Sequence, residues 1–262
     1  MSERNQDDVQ KDLSKERFGK FSQAYIKSKY HGDSPDLDTL IELVQPKQEW
    51  KVLDIATGGG HTALKFAPHV SEVIATDITP NMLQNAQEFI KQKGVSNVKF
   101  QHADAEDLPF GDDMFELVTC RIAAHHFPNV NKFVNEAYRV IKKTGHLLIV
   151  DQVASETKDV ATYINEFEQL RDPSHVKTLS TTEWFQALKA ARFTIMNHQY
   201  FQKEIELEWW TKTQECSPDT VQKLRKLLQT ASSDVKERMN PKNINGDECS
   251  FLIHFILIHA QK

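Results

Sequence analysis

The run Lys51-Val-Leu-Asp-Ile-Ala-Thr-Gly-Gly-Gly-His61 constrains the fold of this chain more than any other segment. A short apolar stretch ends in three consecutive glycines, and Ala63, Leu64, Phe66 and Ala67 then recur with helical spacing. Strand, glycine turn and helix in that order bring backbone N–H groups to a helix start, where no Cβ keeps a ligand away. The cluster stands out because the 262 residues hold only 9 glycines, half the usual share of roughly 7%.

The same rhythm continues. Val73–Asp77 reads as a second strand, followed by Thr79 as a helix N-cap, Pro80 at the first helical position and Gly94 closing the helix. Val98–Phe100 and Phe115–Cys120 are the third and fourth strands. Residues 130–142 form an amphipathic helix with Phe133, Val134, Ala137, Val140 and Ile141 on its buried stripe, and Gly145 turns the chain into a fifth strand, Leu147–Val150. Alternating short strands and helices mean crossover units and a parallel sheet. Helical stripes follow over 157–170 and 181–191, then two final strands, Phe193–Tyr200 and Phe251–His259. The roughly fifty residues between them, with a helix at 218–230, either cover a pocket or pack as an appendage. Residues 1–17 read as a frayed polar tail. The remainder, 18–262, reads as one domain with a helical cap over 18–45 and helical insertions at 155–180 and 204–248.

Composition narrows the class. Apolar residues make up 39%, charged residues 26%, and the net charge is −5. The mean hydropathy is −0.53 and the pI 6.1. An acidic chain lacks the footprint of a general nucleic-acid binder or a polybasic membrane-surface protein. Cys120, Cys216 and Cys249 are odd in number and far apart, which argues against a disulfide framework or a zinc site. No apolar stretch reaches the ~18 residues of a membrane span. The first 17 residues carry nine charges and no apolar core. A cytoplasmic protein is expected.

Gly58-x-Gly60-x-x-Ala63, with Asp77 nineteen residues after Gly58, fits a dinucleotide as well as an adenosyl cofactor. Asp77 at a strand end can accept from two ribose hydroxyls in either case. Asp54, inside the first strand and close to the loop, discriminates: a carboxylate there opposes a pyrophosphate and suits an ammonium and a sulfonium, or else it caps a helix within the fold. Asp104-Ala-Glu-Asp-Leu-Pro-Phe110 supplies an acidic side chain for an adenine amino group and the Ala105 N–H for a ring nitrogen.

Val52-Leu-Asp-Ile-Ala-Thr-Gly-Gly-Gly-His61, Ala75-Thr-Asp77, Asp104–Phe110 and Arg139-Val-Ile-Lys-Lys-Thr-Gly-His-Leu-Leu148 together resemble the sequential motifs of class I S-adenosylmethionine-dependent methyltransferases. The similarity is greatest to the UbiE/COQ5-like, type 11 group. Cys120–Pro128 and Leu170–Val176 further resemble a bacillary branch of uncharacterised methyltransferases. The resemblance implies a three-layer, Rossmann-like α/β fold with strand order 3-2-1-4-5-7-6 and strand seven antiparallel. It implies that Asp54 and loop 56–60, with Ala56, Gly58 and Gly60, hold the methionine end of S-adenosylmethionine (product S-adenosylhomocysteine). Asp77 would take the ribose, Ile78 and Met82 the adenine face, and Asp104 and Ala105 the adenine edge. The backbone at Arg121 would help bind the amino group. Tyr25 would close over the cofactor or lie in the core or at the surface. The chain departs from the family at Ala56, where the first loop glycine is usual, and at Arg192, where a glycine precedes the sixth strand. That second turn is expected to use another conformation.

Methyl transfer from a sulfonium is an in-line displacement that already has a good leaving group, so alignment is the main task, worth up to ~7–11 kcal/mol. His125 and His126, just past the fourth strand, are the candidates for a base acting on a phenol or hydroxyl, or else they pair with backbone at the strand end. Arg171, Asp172, Ser174 and His175 contact the acceptor or form a salt-bridged turn. His31, in the amino-terminal cap, is a similar substrate-side candidate. The scattered histidines form no ligand-spaced cluster, so no metal is expected. The place after the fourth strand reads Arg121-Ile-Ala-Ala124, without the Asn/Asp-Pro-Pro-aromatic motif of enzymes that methylate adenine or glutamine amides. A small-molecule acceptor and a monomer or homodimer are expected, with no nucleic acid. A nicotinamide-dependent oxidoreductase and a non-catalytic cofactor-binding protein of the same fold are the alternatives.

Overall fold

A computed structural model describes residues 5–26, 32, 34–246 and 248–262. Its seven strands are β1 (Lys51–Ile55), β2 (Glu72–Asp77), β3 (Val98–His102), β4 (Phe115–Arg121), β5 (Ile141–Gln152), β6 (Thr194–Glu206) and β7 (Ser250–Gln261). They form one sheet in the order β3-β2-β1-β4-β5-β7-β6. The first five are mutually parallel, and β7 runs antiparallel to both β5 and β6. The strand order and the reversed seventh strand are those implied by the sequence motifs.

Helices cover both faces. On one side α2 (Asp36–Val44), α3 (His61–Phe66) and α4 (Pro80–Gln92) enclose a core through Leu40, Phe66 and Ile90 against Val52, Val73 and Leu117. On the other, α5 (Val130–Val140) and α7 (Thr181–Ala190) enclose a second core through Phe133, Val134, Trp184 and Leu188. A strand buried on both faces must be apolar at nearly every position, which is why β1 and β4 read as continuous runs rather than alternations. The helix starts are fixed locally. Asn129 Oδ1 accepts from Lys132 N at the start of α5, and Ser180 with Glu183 forms a reciprocal capping box on α7. Thr79 stands at the N-cap position of α4, but its side chain makes no capping bond there. Gly94, at φ 74°, closes α4 in the left-handed conformation.

The segment between β6 and β7 carries α8 (Leu207–Lys212), α9 (Pro218–Thr230) and α10 (Ser233–Met239). With α6 (Lys158–Arg171) these helices build a third core around Phe167, Trp210, Leu224, Leu228 and Phe251. β6 is longer than its apolar residues suggest. It pairs with β7 from Thr194↔Gln261 to Glu206↔Ser250, and as an edge strand it leaves most side chains in solvent, so the polar stretch after Tyr200 remains in the ladder.

Two expectations are corrected. Residues 6–17 of the polar start are helical, the first half of α1 (Gln6–Ile26). The turn before β6 does not avoid the glycine conformation, because Arg192 itself adopts φ 72°. Among the described residues no helix is long and apolar enough to cross a membrane.

Gly145 lies where the β4–β5 register shifts, and a Cβ there would stand 2.7 Å from Ile141 Cγ2 and 2.9 Å from the Glu116 and Lys142 carbonyl oxygens. Gly145→Ala should therefore lower the unfolding free energy by about 1–3 kcal/mol, measured by urea titration. An unchanged midpoint would mean that the two strands can part at that position without cost.

Candidate functional site

The carboxyl ends of β1, β2 and β4 open into a cavity lined by the glycine loop and the residues that follow these strands. Asp54 forms part of its wall. The carboxylate is buried, with Thr57 donating to it at 2.6 Å and Thr119 at 2.7 Å, so one group ties β1, the glycine loop and β4 together. Burial pushes its carboxyl up to about 6, against those two hydrogen bonds.

The loop is shaped by its backbone. Ala56 takes φ 51°, a left-handed conformation in the position where the family has glycine. Gly60, at φ 81°, brings the loop against α4, and a Cβ there would meet Ile90 Cδ1 at 3.0 Å. Gly58, at φ 53°, has nothing within 4 Å of a Cβ and faces open space. Asp77 braces this arrangement, accepting from Gly58 N at 3.0 Å and Thr79 N at 2.8 Å while burial raises its pKa. Ile78 and Met82 supply apolar wall beside it.

Beyond β3, Asp104 accepts from Glu106 N at 2.9 Å and from Lys11 Nζ at 2.7 Å. Lys11 also pairs with Glu106 at 2.8 Å. Lys11, Ser14 and Phe18 all line the cavity from α1. Sequence reading missed them. Their i, i+3, i+7 spacing, which places three side chains on one helical face, was the available signal.

Beyond β4 the cavity wall includes Arg121, Ile122, His126 and Phe127. His126 Nδ1 lies 2.9 Å from the Ser174 carbonyl oxygen, and Phe18 meets its ring edge-on at 4.8 Å. A carbonyl only accepts, so Nδ1 carries the proton and Nε2 keeps a lone pair. Burial first, and then the neighbouring His125 charge, holds His126 down to about 4. His125 is not among the lining residues. Burial works against its charged form, but the Asp151 carboxylate, 2.5 Å from Nδ1, raises its pKa overall.

Arg171 and His175 also stand apart from the cavity. Arg171 donates to the Trp210 carbonyl and to Thr213 Oγ1, with its guanidinium 4.8 Å from the Trp210 ring centroid. His175 Nε2 bonds Asn165 Oδ1 at 2.9 Å, and burial pushes this histidine down to about 2. Arg171 and Asp172 lie 3.8 Å apart, and Ser174 Oγ donates to Asp172 at 2.6 Å, the geometry of a salt-bridged turn. His31 and the Tyr25 side chain lie outside the described residues. Among the described residues no group of three or more His, Cys, Asp or Glu could hold a metal ion.

Residues 46–232 match the family model of a methyltransferase domain. Over 246 residues the chain is 38% identical to the uncharacterized methyltransferase YcgJ of Bacillus subtilis, spanning 94% of this chain and 97% of that one. The chain is a class I S-adenosylmethionine-dependent methyltransferase. The crystal structure of YcgJ superposes with a TM-score of 0.83 at 39% identity, covering 86% of this chain and 97% of the other. A methyltransferase-fold protein of Bacillus halodurans C-125 gives 0.84 at 38% identity, covering 87% and 99%. The C-methyltransferase UbiE of Pectobacterium atrosepticum is 33% identical over 131 residues, 48% of this chain and 52% of its own length. Membership of this UbiE-like methyltransferase group takes the chain to the sulfonium side of the alternative that the glycine loop leaves open.

A free histidine titrates near 6.5, whereas burial holds His126 down to about 4 in the folded chain, so between those values the unfolded state binds more protons. Its contribution to stability is therefore lost as pH falls from about 6.5 to 4, and it is complete above that window. Urea titrations of wild type and His126→Gln at both ends should show the difference moving in favour of wild type by up to about 3 kcal/mol as pH rises. Parallel pH profiles would contradict the burial of a neutral imidazole.

Proposed function

We propose that the enzyme methylates a small-molecule acceptor, with the cofactor lying along the cavity from Asp104 past Asp77 and the glycine loop to Asp54 and Arg121. The observation that carries this reading is Asp77. Two loop N–H groups fix its carboxylate at the cavity wall, and a carboxylate has about four lone-pair sites, so acceptor capacity is left for two ribose hydroxyls. The surroundings fit the same ligand. Gly58 leaves a cradle that a side chain would fill, Ile78 and Met82 offer an apolar face to a purine, and Asp104 with Ala105 N offers an edge.

S-adenosylmethionine supplies an electrophilic methyl group on a sulfonium leaving group. The chain's own part is to hold, orient and keep water from the reacting atoms. His126 presents Nε2 as a hydrogen-bond acceptor at the cavity wall, with the ring fixed by Ser174 and Phe18. Its low basicity suits it to orienting an acceptor hydroxyl or amine, not to storing a proton at neutral pH. His125 and Asp151 act behind it as a buried hydrogen-bonded pair that fixes the turn after β4. Arg171 and His175 support the wall from outside in this reading. The net charge of −5 favours a small acceptor over a nucleic acid.

Asp77→Asn should weaken S-adenosylmethionine binding about 30- to 1,000-fold by calorimetry, corresponding to roughly 2–4 kcal/mol of charge-assisted hydrogen bonding. Gly58→Leu should abolish binding by filling the cradle. His126→Gln should leave cofactor affinity intact and reduce turnover across a panel of phenols, quinols and amines. Undiminished cofactor binding in both Asp77→Asn and Gly58→Leu would refute the placement.

A further inference from the structure

Three charged side chains meet where the start of α2 reaches the end of β4. Arg121 Nε donates to Asp36 Oδ2 at 2.6 Å, Lys203 of β6 lies 3.4 Å from Asp36 Oδ1, and the Ser34 hydroxyl also bonds Asp36. The Arg121 side chain is 5% exposed and that of Asp36 2%. Two cations share the Asp36 carboxylate. Burial first, and then the Arg121 charge, holds Lys203 down to about 8 in spite of Asp36. The same guanidinium has a nitrogen to spare: Nη2 is buried and has no hydrogen-bond partner among the described residues. An unpaired buried donor of a charged group is costly, and a folded protein keeps one where something else completes it.

What completes it follows from its place. In the strand order β3-β2-β1-β4, the cavity is flanked in turn by Asp104, Asp77, Asp54 and Arg121. A ligand with its adenosine at the first two has its other end at the last two. There a buried carboxylate and a guanidinium stand together, and the Arg121 charge acts on Asp54, favouring its ionised form. That pairing of charges complements an α-amino acid, which carries an ammonium and a carboxylate on one carbon. A guanidinium with Nε already held by Asp36 is oriented in advance and can offer Nη2 without ordering a flexible chain.

We propose that the Arg121 side chain, positioned by Asp36 and Lys203, receives the carboxylate of the cofactor's methionine end, with Asp54 facing its ammonium. This rests on the cofactor placement proposed above. It assigns the specific contact to the guanidinium of Arg121, in addition to the backbone contact expected at the same residue. It also links cofactor binding to the amino-terminal cap, because Asp36 begins α2.

The test compares S-adenosylhomocysteine with 5′-methylthioadenosine, which lacks the amino-acid end, by calorimetry. Wild type should bind S-adenosylhomocysteine more tightly. Arg121→Gln should weaken that binding about 10- to 100-fold, the range for a charge-assisted hydrogen bond, and leave methylthioadenosine within about twofold. Decarboxylated S-adenosylmethionine should be insensitive to the substitution, and Arg121→Lys should recover part of the loss. The double variant Arg121→Gln/Asp36→Asn removes the cation together with its buried partner and should show the same ratio change. Equal losses for both nucleosides would mean that Arg121 only supports the fold, and unchanged S-adenosylhomocysteine binding would mean that it meets no carboxylate; either overturns the inference. Wild type that binds neither nucleoside would instead overturn the cofactor placement itself.

Discussion

β1 lies between β2 and β4 and is parallel to both. Parallel neighbours need crossover connections, and the crossovers on the two sides of β1 leave in opposite directions along the sheet. The loops at the carboxyl ends of β1 and β4 therefore diverge, and a crevice opens between them whatever side chains the chain carries. Asp54 turns that topological gap into a fixed site. Bonded to Thr57 of the loop and Thr119 of β4, it holds the two sides of the crevice at a set separation. The glycine loop, the bracing of Asp77 and the placing of Arg121 all follow from strands held in that register.

Charge is distributed along the crevice with a consistent logic. The middle of the cavity holds two buried carboxylates, Asp54 and Asp77, whose pKa values rise with burial and which backbone N–H groups and threonine hydroxyls satisfy only in part. Cations stand at the two ends. Lys11 pairs with both Asp104 and Glu106 beyond β3, and Arg121 and Lys203 both pair with Asp36 beyond β4. Such a pattern suits a ligand with a neutral, hydrogen-bonding middle and a zwitterionic end better than a polyanion.

The sheet and the glycine loop were legible because their signals are local. β1, β2 and β4 each carry a short buried apolar run, and the α5 stripe of Phe133, Val134, Ala137 and Val140 repeats at helical spacing. α1 was illegible over residues 6–17 because apolar burial does not dock it there. Instead Gln10 donates to the Ser174 carbonyl, Lys11 pairs with Asp104, and Arg17 reaches Gln214 and Asp172. Each partner is distant in sequence, so no periodicity marks it. The far half of β6 was hidden by its polar residues, which edge exposure permits. Arg192 followed a rule from sequence, that a side chain avoids the left-handed conformation, which the tight turn from α7 into β6 overrides at a cost of about 1–2 kcal/mol. In the candidate site, the carboxylates could be placed from their strand ends, whereas Lys11, Lys203 and Asp36 reach it only through tertiary packing.

The way α1 is attached has a consequence for ionic conditions. Its amino-terminal half is joined to the rest of the molecule by ion pairs and side-chain hydrogen bonds along the cavity wall, whereas the three cores are apolar. Dissolved salt screens the first kind of contact and leaves the second intact. Rising ionic strength therefore acts on the contacts that hold the start of α1 before it acts on the cores.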